Sequence, residues 1–324
     1  MDVDARDAHD AHDAHDAHDA HEAPGPGEPA GPPWIDPTLQ QEMSWRDGDI
    51  VVSVPVKSGT TWMMNIVHQL RSGGDAGFAD VYAEVPWIEF VPSPDARRED
   101  LVAAFDAMSR DRRRAFKSHS APDVLPYQRP GAGPDVRYVV VVRNPDEAIA
   151  SVLPFLGAHS DAWFDLWQVP KEALAAPDLA TFIGELGEVF VAMLFGFVAG
   201  WWPLRHESNV LLLHFADLKA DHEGSVRRVA DFLGFAPTYA QWPVVLEYTS
   251  FRWMKAHEDK FEARTVAAFP FLEPGGMVRK GKVGASAEDG VTDAISKTLA
   301  DMGRQLLPDE DAFDWCYRGG PVPP

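Results

Sequence analysis

The chain has 324 residues, 45% of them hydrophobic, with 11 Trp and 18 Phe. That is enough for a large α/β core and incompatible with a wholly disordered protein. A formal charge of −21, from 29 Lys+Arg against 50 Asp+Glu, argues against non-specific binding to nucleic acid or an anionic membrane. It still allows an anionic small molecule, provided the few cations are gathered in one place. The one cysteine, Cys316, permits no internal disulfide and no thiol-rich metal cluster, and fits a reducing, cytoplasmic setting.

The N-terminus has neither the basic n-region nor the apolar h-region of an export signal. Residues 7–21 are five Asp-Ala-His triplets, and residues 23–33 are rich in Pro and Gly. With little but Ala to bury, residues 1–33 are expected to be a disordered tail preceding one domain at 34–324. The His and Asp of the repeat could ligate a metal. A period of three, however, drifts around a helix and prebuilds no cage, so a solvated tail is the preferred reading.

Four strand-like runs follow, at residues 50–54 (IVVSV), 114–117 (RAFK), 138–142 (YVVVV) and 210–213 (VLLL). The first, third and fourth are continuous apolar runs, as expected of strands buried on both faces. Helical patterns separate them: residues 60–70 after the first strand, a helix opened by Pro145 after the third, and Val226, Val229, Ala230 and Leu233 at helical spacing after the fourth. This alternation predicts a single α/β domain with a mostly parallel central sheet flanked by helices. Ligands then belong at the carboxyl ends of the strands. Residues 189–204 are uncharged and apolar, but shorter than the roughly 20 residues a spanning helix needs. A buried core helix is the preferred reading, no stable membrane insertion is expected, and a membrane-associated helix stays open.

After the first strand comes Pro55-Val56-Lys57-Ser58-Gly59-Thr60-Thr61-Trp62. A strand, a short Gly/Ser/Thr loop and a helix form a P-loop-like phosphate cradle, in which backbone N–H groups and the helix N-terminus face an anion. The order is not that of a Walker A motif, since Lys57 precedes the glycine. An ordinary βα turn is the plain alternative.

The Lys57–Trp62 loop resembles the 5′-phosphosulfate loop of the sulfotransferases that use 3′-phosphoadenosine 5′-phosphosulfate (PAPS). Three further segments resemble that family in the same order: Phe116-Lys117-Ser118-His119, residues 137–155 with Arg143 and Ser151, and Arg279-Lys280-Gly281. Residues 210–234 and Thr249-Ser250-Phe251 match as well, so the resemblance spans roughly residues 45–284. The chain departs from the family at Pro55-Val56, where Tyr-Pro is usual. It departs again at Phe215, where a tyrosine near the adenine is usual, and after the basic turn, where Val283-Gly284-Ala285-Ser286-Ala287-Glu288 replaces Gly-Asp-Trp-Lys.

The resemblance implies a PAPS-dependent sulfotransferase that moves a sulfuryl group to a hydroxyl of a small acceptor and releases PAP. Lys57 would stabilise charge on the leaving bridging oxygen, and His119 would take the hydroxyl proton, with Lys117 orienting the sulfuryl group. Arg143, Ser151, Arg279, Lys280 and Gly281 would hold the 3′-phosphate. Trp62, Phe215 and Thr249–Phe251 would flank the nucleotide. No metal is required, because fixed cations supply the charge. Acceptor contacts are expected on residues 78–94, 155–169 and 255–274. There Trp87, Phe90, Phe155, Trp163, Phe164, Trp167 and Phe261 favour an apolar acceptor. The alternatives are a nucleotide kinase acting on ATP and a non-catalytic nucleotide- or metal-binding protein. The acceptor's identity and the oligomeric state are left open.

Overall fold

In the computed structural model the four strand-like runs become β1 (Ile50–Ser53), β2 (Ala115–Ser118), β3 (Arg137–Val142) and β4 (Val210–His214). They pair in parallel in the order β2-β1-β3-β4, with Ile50 opposite both Ala115 and Arg137, and Tyr138 opposite Val210. Residues 31–264 and 269–324 are described; the Asp-Ala-His repeat and the rest of the expected tail before residue 31 lie outside them. The elements below all belong to the unit that begins at Pro33.

Successive side chains of a strand point to opposite faces, so each strand supplies two cores. Ile50, Val52, Val139, Val141, Leu211 and Leu213 join one core with Met63, Ile66 and Val226. Val51, Phe116, Tyr138, Val140 and Leu212 join the other with Ile149, Val198 and Trp201. Helices therefore cover both faces, and the strand ends remain as the place for chemistry.

The predicted helices appear as Thr60–Ser72, Pro145–Ala150 and His222–Leu233. Asn144 caps the second: its side-chain oxygen accepts from the backbone N–H of Asp146 and of Glu147, at 3.0 and 3.3 Å. The apolar stretch at 189–204 is part of a longer helix, Leu179–Trp201, followed by a 3-10 turn, Trp202–Leu204. The core-helix expectation holds for one face only. Val191, Leu194, Phe195, Val198 and Trp201 recur at helical spacing and are buried, whereas Val189 is 57% and Met193 44% exposed. Among the described residues this is the one helix long and apolar enough to cross a membrane.

Arg114, expected to open the second strand, instead stands just before it and ties the lower ends of β1 and β2 together. Its guanidinium donates to Asp49 Oδ1 at 2.9 Å and Oδ2 at 2.5 Å, and to the carbonyls of Phe105 and Ser44. Both side chains are 2% exposed. Removing one partner of such a pair leaves the other charge buried, at a cost of about 3–5 kcal/mol. Arg114→Met is expected to lower the unfolding free energy by about that much in urea titrations. The double variant with Asp49→Asn should lose less than the sum of the two single changes. Additive losses would show that the pair does not couple the strands.

Candidate active site

Each strand delivers a site residue just past its carboxyl end. Lys57 follows β1, His119 follows β2, Arg143 follows β3 and Phe215 follows β4. The loop after β1 is tightly determined. Lys57 has φ +58 and Gly59 φ +100, both left-handed, and between them the Ser58 N–H closes the turn onto the Pro55 carbonyl at 3.2 Å. Ser58 and Thr60 are buried in its walls. Arg143 Nη1 donates to the Lys57 carbonyl at 3.0 Å and so braces the loop.

At the end of β2, His119 and Lys117 stand against Trp87. The Lys117 ammonium lies 3.3 Å from the Trp87 ring centre, and the His119 ring meets the same indole edge-on at 4.9 Å. His119 Nδ1 is 2.5 Å from the Val54 carbonyl oxygen. A carbonyl only accepts, so Nδ1 carries the proton and Nε2 keeps its lone pair. Burial and then the Lys117 charge push the His119 pKa well below the ordinary histidine value, with the Lys57 charge adding to the effect. Burial also lowers the Lys117 pKa, although Glu89 opposes the shift.

Glu89 organises this corner. Its carboxylate is 2% exposed and accepts from Ser118 Oγ at 2.5 Å, Ser120 Oγ at 2.6 Å, Trp87 Nε1 at 2.5 Å and the His119 backbone N–H at 3.1 Å. Lys117 donates its own backbone N–H to Pro86 and accepts from Ile88, so residues 86–88 run along the outer edge of β2.

The cations form a second cluster around Lys57, whose ammonium lies 4.1 Å over the Phe155 ring. Burial, followed by the charges of Arg279 and Arg143, lowers the Lys57 pKa to about 7. Arg143 pairs with Glu147 at 3.1 Å, and the other Glu147 oxygen accepts the Gly284 N–H at 2.5 Å. One carboxylate thus joins the β3 end to the basic turn. Arg279 and Lys280 are held by Asp289. Ser151 is buried at the junction of the helices Pro145–Ala150 and Val152–Leu156.

A third group is aromatic. Trp62 meets Phe215 edge-on at 5.6 Å and stacks on His222 at 5.9 Å, and its Nε1 donates to the Thr249 carbonyl at 2.8 Å. His222 Nε2 is 3.0 Å from Thr249 Oγ1, and Lys219 lies over both Trp62 and Phe251. Ser250 caps the helix Phe251–Ala256 by accepting from Trp253 N–H. Gly281 is required by proximity: a Cβ there would stand 2.3 Å from the Phe251 ring.

The sequence reading therefore brings together Lys57, Lys117 and His119 at one corner, Arg143 with Arg279 and Lys280 at the next, and Trp62, Phe215 and Thr249–Phe251 beyond. It misses Glu89, Glu147, Lys219, His222 and Asp289. Glu89 left a trace: a lone carboxylate inside the apolar run Trp87–Phe90 must find donors if it is buried. Of the expected acceptor aromatics, Trp87 stands against His119 and Lys117, and Phe155 lies beneath the Lys57 ammonium. Phe90, Trp163, Phe164, Trp167 and Phe261 are buried in the core instead. Trp163 packs on Trp34, and Phe261 on Phe78. Among the described residues no group of three His, Cys, Asp or Glu is arranged to hold a metal ion.

A phosphate-type loop, a cation cluster and aromatic plates at the carboxyl end of a parallel sheet define an α/β protein built to hold a nucleotide anion. Residues 47–309 match the sulfotransferase domain family, and the chain belongs to that family. It is a PAPS-dependent sulfotransferase, an enzyme that transfers a sulfuryl group to a hydroxyl acceptor. Rat sulfotransferase 1A1 is 28% identical over 229 residues, 67% of this chain and 70% of the relative. Human sulfotransferase 2A1 is 26% identical over 283 residues, 83% and 90% of the two chains. The fold is similar to that of mouse sulfotransferase SULT7A1 complexed with PAP, with TM-score 0.63, 18% identity, and 86% and 90% coverage. It is also similar to retinol dehydratase in complex with androsterone and PAP, with TM-score 0.61, 20% identity and 84% of each chain covered.

Gly59 combines a left-handed φ with a Cβ position 2.7 Å from the Phe215 ring. Gly59→Ala should cost about 1–3 kcal/mol of stability, measured by chemical denaturation. Adding Phe215→Leu should recover the part due to collision; no recovery would assign the whole cost to the backbone.

Proposed function

We propose that the three groups above are the catalytic corner, the 3′-phosphate grip and the adenine site of one PAPS-dependent sulfuryl transfer. The observation that carries this reading is the state of His119. Its tautomer is set by the Val54 carbonyl, and burial beside Lys117 keeps it neutral, so Nε2 is a base at the end of β2 with two lysines as neighbours.

In this reading the Lys57–Trp62 loop holds the 5′-phosphosulfate of the donor. Arg143, Ser151, Arg279, Lys280 and Gly281 surround the 3′-phosphate. Trp62, Phe215, His222 and Thr249–Phe251 flank the adenine. The residues fit such a ligand: burial and the charges of Arg279 and Arg143 lower the proton affinity of Lys57, and burial and then the Arg279 charge lower that of Arg143, which is the field an oligoanion relieves. Sulfuryl transfer resembles phosphoryl transfer in needing in-line positioning and charge stabilisation. The acceptor oxygen bonds to sulfur as the bond from sulfur to the 5′-phosphate oxygen breaks. Nε2 of His119 takes the hydroxyl proton and passes it to water. Lys57 stabilises the charge left on the bridging oxygen, and Lys117 supports the sulfuryl oxygens. Fixed cations supply this charge, so no metal is required.

The acceptor is read as a small, apolar molecule with one nucleophilic hydroxyl. Trp87 and Phe155 support this, because they face His119 and Lys57 with rings rather than charges. A cytoplasmic location belongs to the same reading, supported by the chain's lone cysteine being free and buried.

The reading is tested by following PAP release from PAPS with a panel of phenols and hydrophobic alcohols. His119→Gln should lower turnover by about 10²–10⁴ while PAP affinity measured by calorimetry stays within error. Parallel loss of PAP binding would make His119 structural.

A second test uses protons. An anion at the loop favours charged Lys57 and raises a pKa that stands near 7 without it. Between about pH 7 and the ordinary lysine value near 10.4, PAP binding should therefore take up protons, and affinity should fall as pH rises. Calorimetry at pH 8 in buffers of different ionisation enthalpy measures the uptake. Lys57→Met should reduce it; an unchanged uptake would remove Lys57 from the 5′ side.

A further inference from the structure

Past the basic turn, the segment in which this chain departs from the family folds into a short 3-10 turn, Ser286–Asp289. It is bracketed by two glycines in left-handed conformation, Gly284 at φ +74 and Gly290 at φ +95. Its last residue, Asp289, reaches back to the basic turn. Asp289 Oδ1 accepts from Arg279 Nη1 at 2.9 Å and Oδ2 from Nη2 at 2.8 Å, a two-pronged pair. The same carboxylate takes Lys280 Nζ at 2.7 Å. Glu288 stands farther off, 3.5 Å from Lys280 and 3.6 Å from Lys282, and its side chain is 56% exposed where that of Asp289 is only 13% exposed.

Arg279 and Lys280 thus meet one carboxylate in the geometry they would offer two oxygens of a phosphate. We propose that Asp289 is an internal competitor for the donor's 3′-phosphate, holding Arg279 and Lys280 until the nucleotide displaces it and thereby setting the affinity for PAPS and PAP. This rests on the assignment of those two cations to the 3′-phosphate. Three physical points carry it. A phosphate within hydrogen-bonding reach of both cations would face a carboxylate bonded to the same nitrogens, and like charges so placed repel. The carboxylate sits on a one-turn segment between two glycine hinges, so it can withdraw with local backbone rotation. Arg143, the third cation of the grip, has its own carboxylate in Glu147, which also binds the Gly284 N–H. That contact anchors the near end of the segment while Asp289 moves.

The test is calorimetric titration of the full chain with PAP and with adenosine 5′-phosphate, which lacks the 3′-phosphate. The proteins are wild type, Asp289→Asn, Asp289→Ala and Glu288→Gln. Both Asp289 variants should bind PAP about tenfold more tightly, about 1.4 kcal/mol, with adenosine 5′-phosphate unchanged. Glu288→Gln should change PAP affinity by less than about twofold, as an exposed, more distant charge does. Unchanged or weaker PAP binding in the Asp289 variants would overturn the proposal and make Asp289 a brace that orients Arg279. Equal tightening of both nucleotides, or equal tightening by Glu288→Gln, would reduce the effect to overall charge and overturn it too. Failure of the underlying assignment reads differently: wild type would then bind PAP no more tightly than adenosine 5′-phosphate.

Discussion

Mutual repulsion among cations gathered at one end of a buried sheet governs how the rest of the molecule is arranged. Lys57, Lys117, Arg143 and Arg279 come from four separate stretches of a chain that carries 21 excess negative charges. In isolation such a cluster would disperse or lose protons. It is held by carboxylates that each span two segments. Glu89 ties residues 118–120 to the strip beside β2, Glu147 joins the β3 end to the basic turn, and Asp289 faces the turn from beyond it. The acidity of the chain is thus partly local chemistry rather than only surface composition.

The parallel sheet makes this possible at low backbone cost. Four strands deliver their following residues to one edge, and both faces are sealed by apolar side chains, so the strand ends are where polar groups can be concentrated. The loops then need close backbone approach. Gly59 under Phe215 and Gly281 under Phe251 provide it.

Much of this was legible in the sequence because it depended on short-range patterns. Continuous apolar runs marked the first, third and fourth strands to within a residue, the mixed run at 114–117 marked the second as closely, and Pro145 marked its helix start. The Lys57 loop, His119 and Arg143 were readable from their places just after strands. What stayed hidden was set by contacts distant in the chain. Glu89 meets residues some thirty positions on, Glu147 meets Gly284, and His222 meets Trp62; no local spacing encodes those partners. The long apolar helix was only partly legible for a related reason. Composition shows how greasy Leu179–Trp201 is, but only packing shows that one stripe is covered and Val189 and Met193 are not.

The left-handed backbone at Lys57 has one more consequence. A non-glycine residue in that region costs about 1–2 kcal/mol, and position 57 bears this cost for the sake of an ammonium over Phe155. Glycine would relax the backbone and remove the charge together. Under the proposed role of Lys57, position 57 is therefore a site of stability–activity trade-off, where selection for thermal robustness alone would erase the lysine assigned to the leaving group.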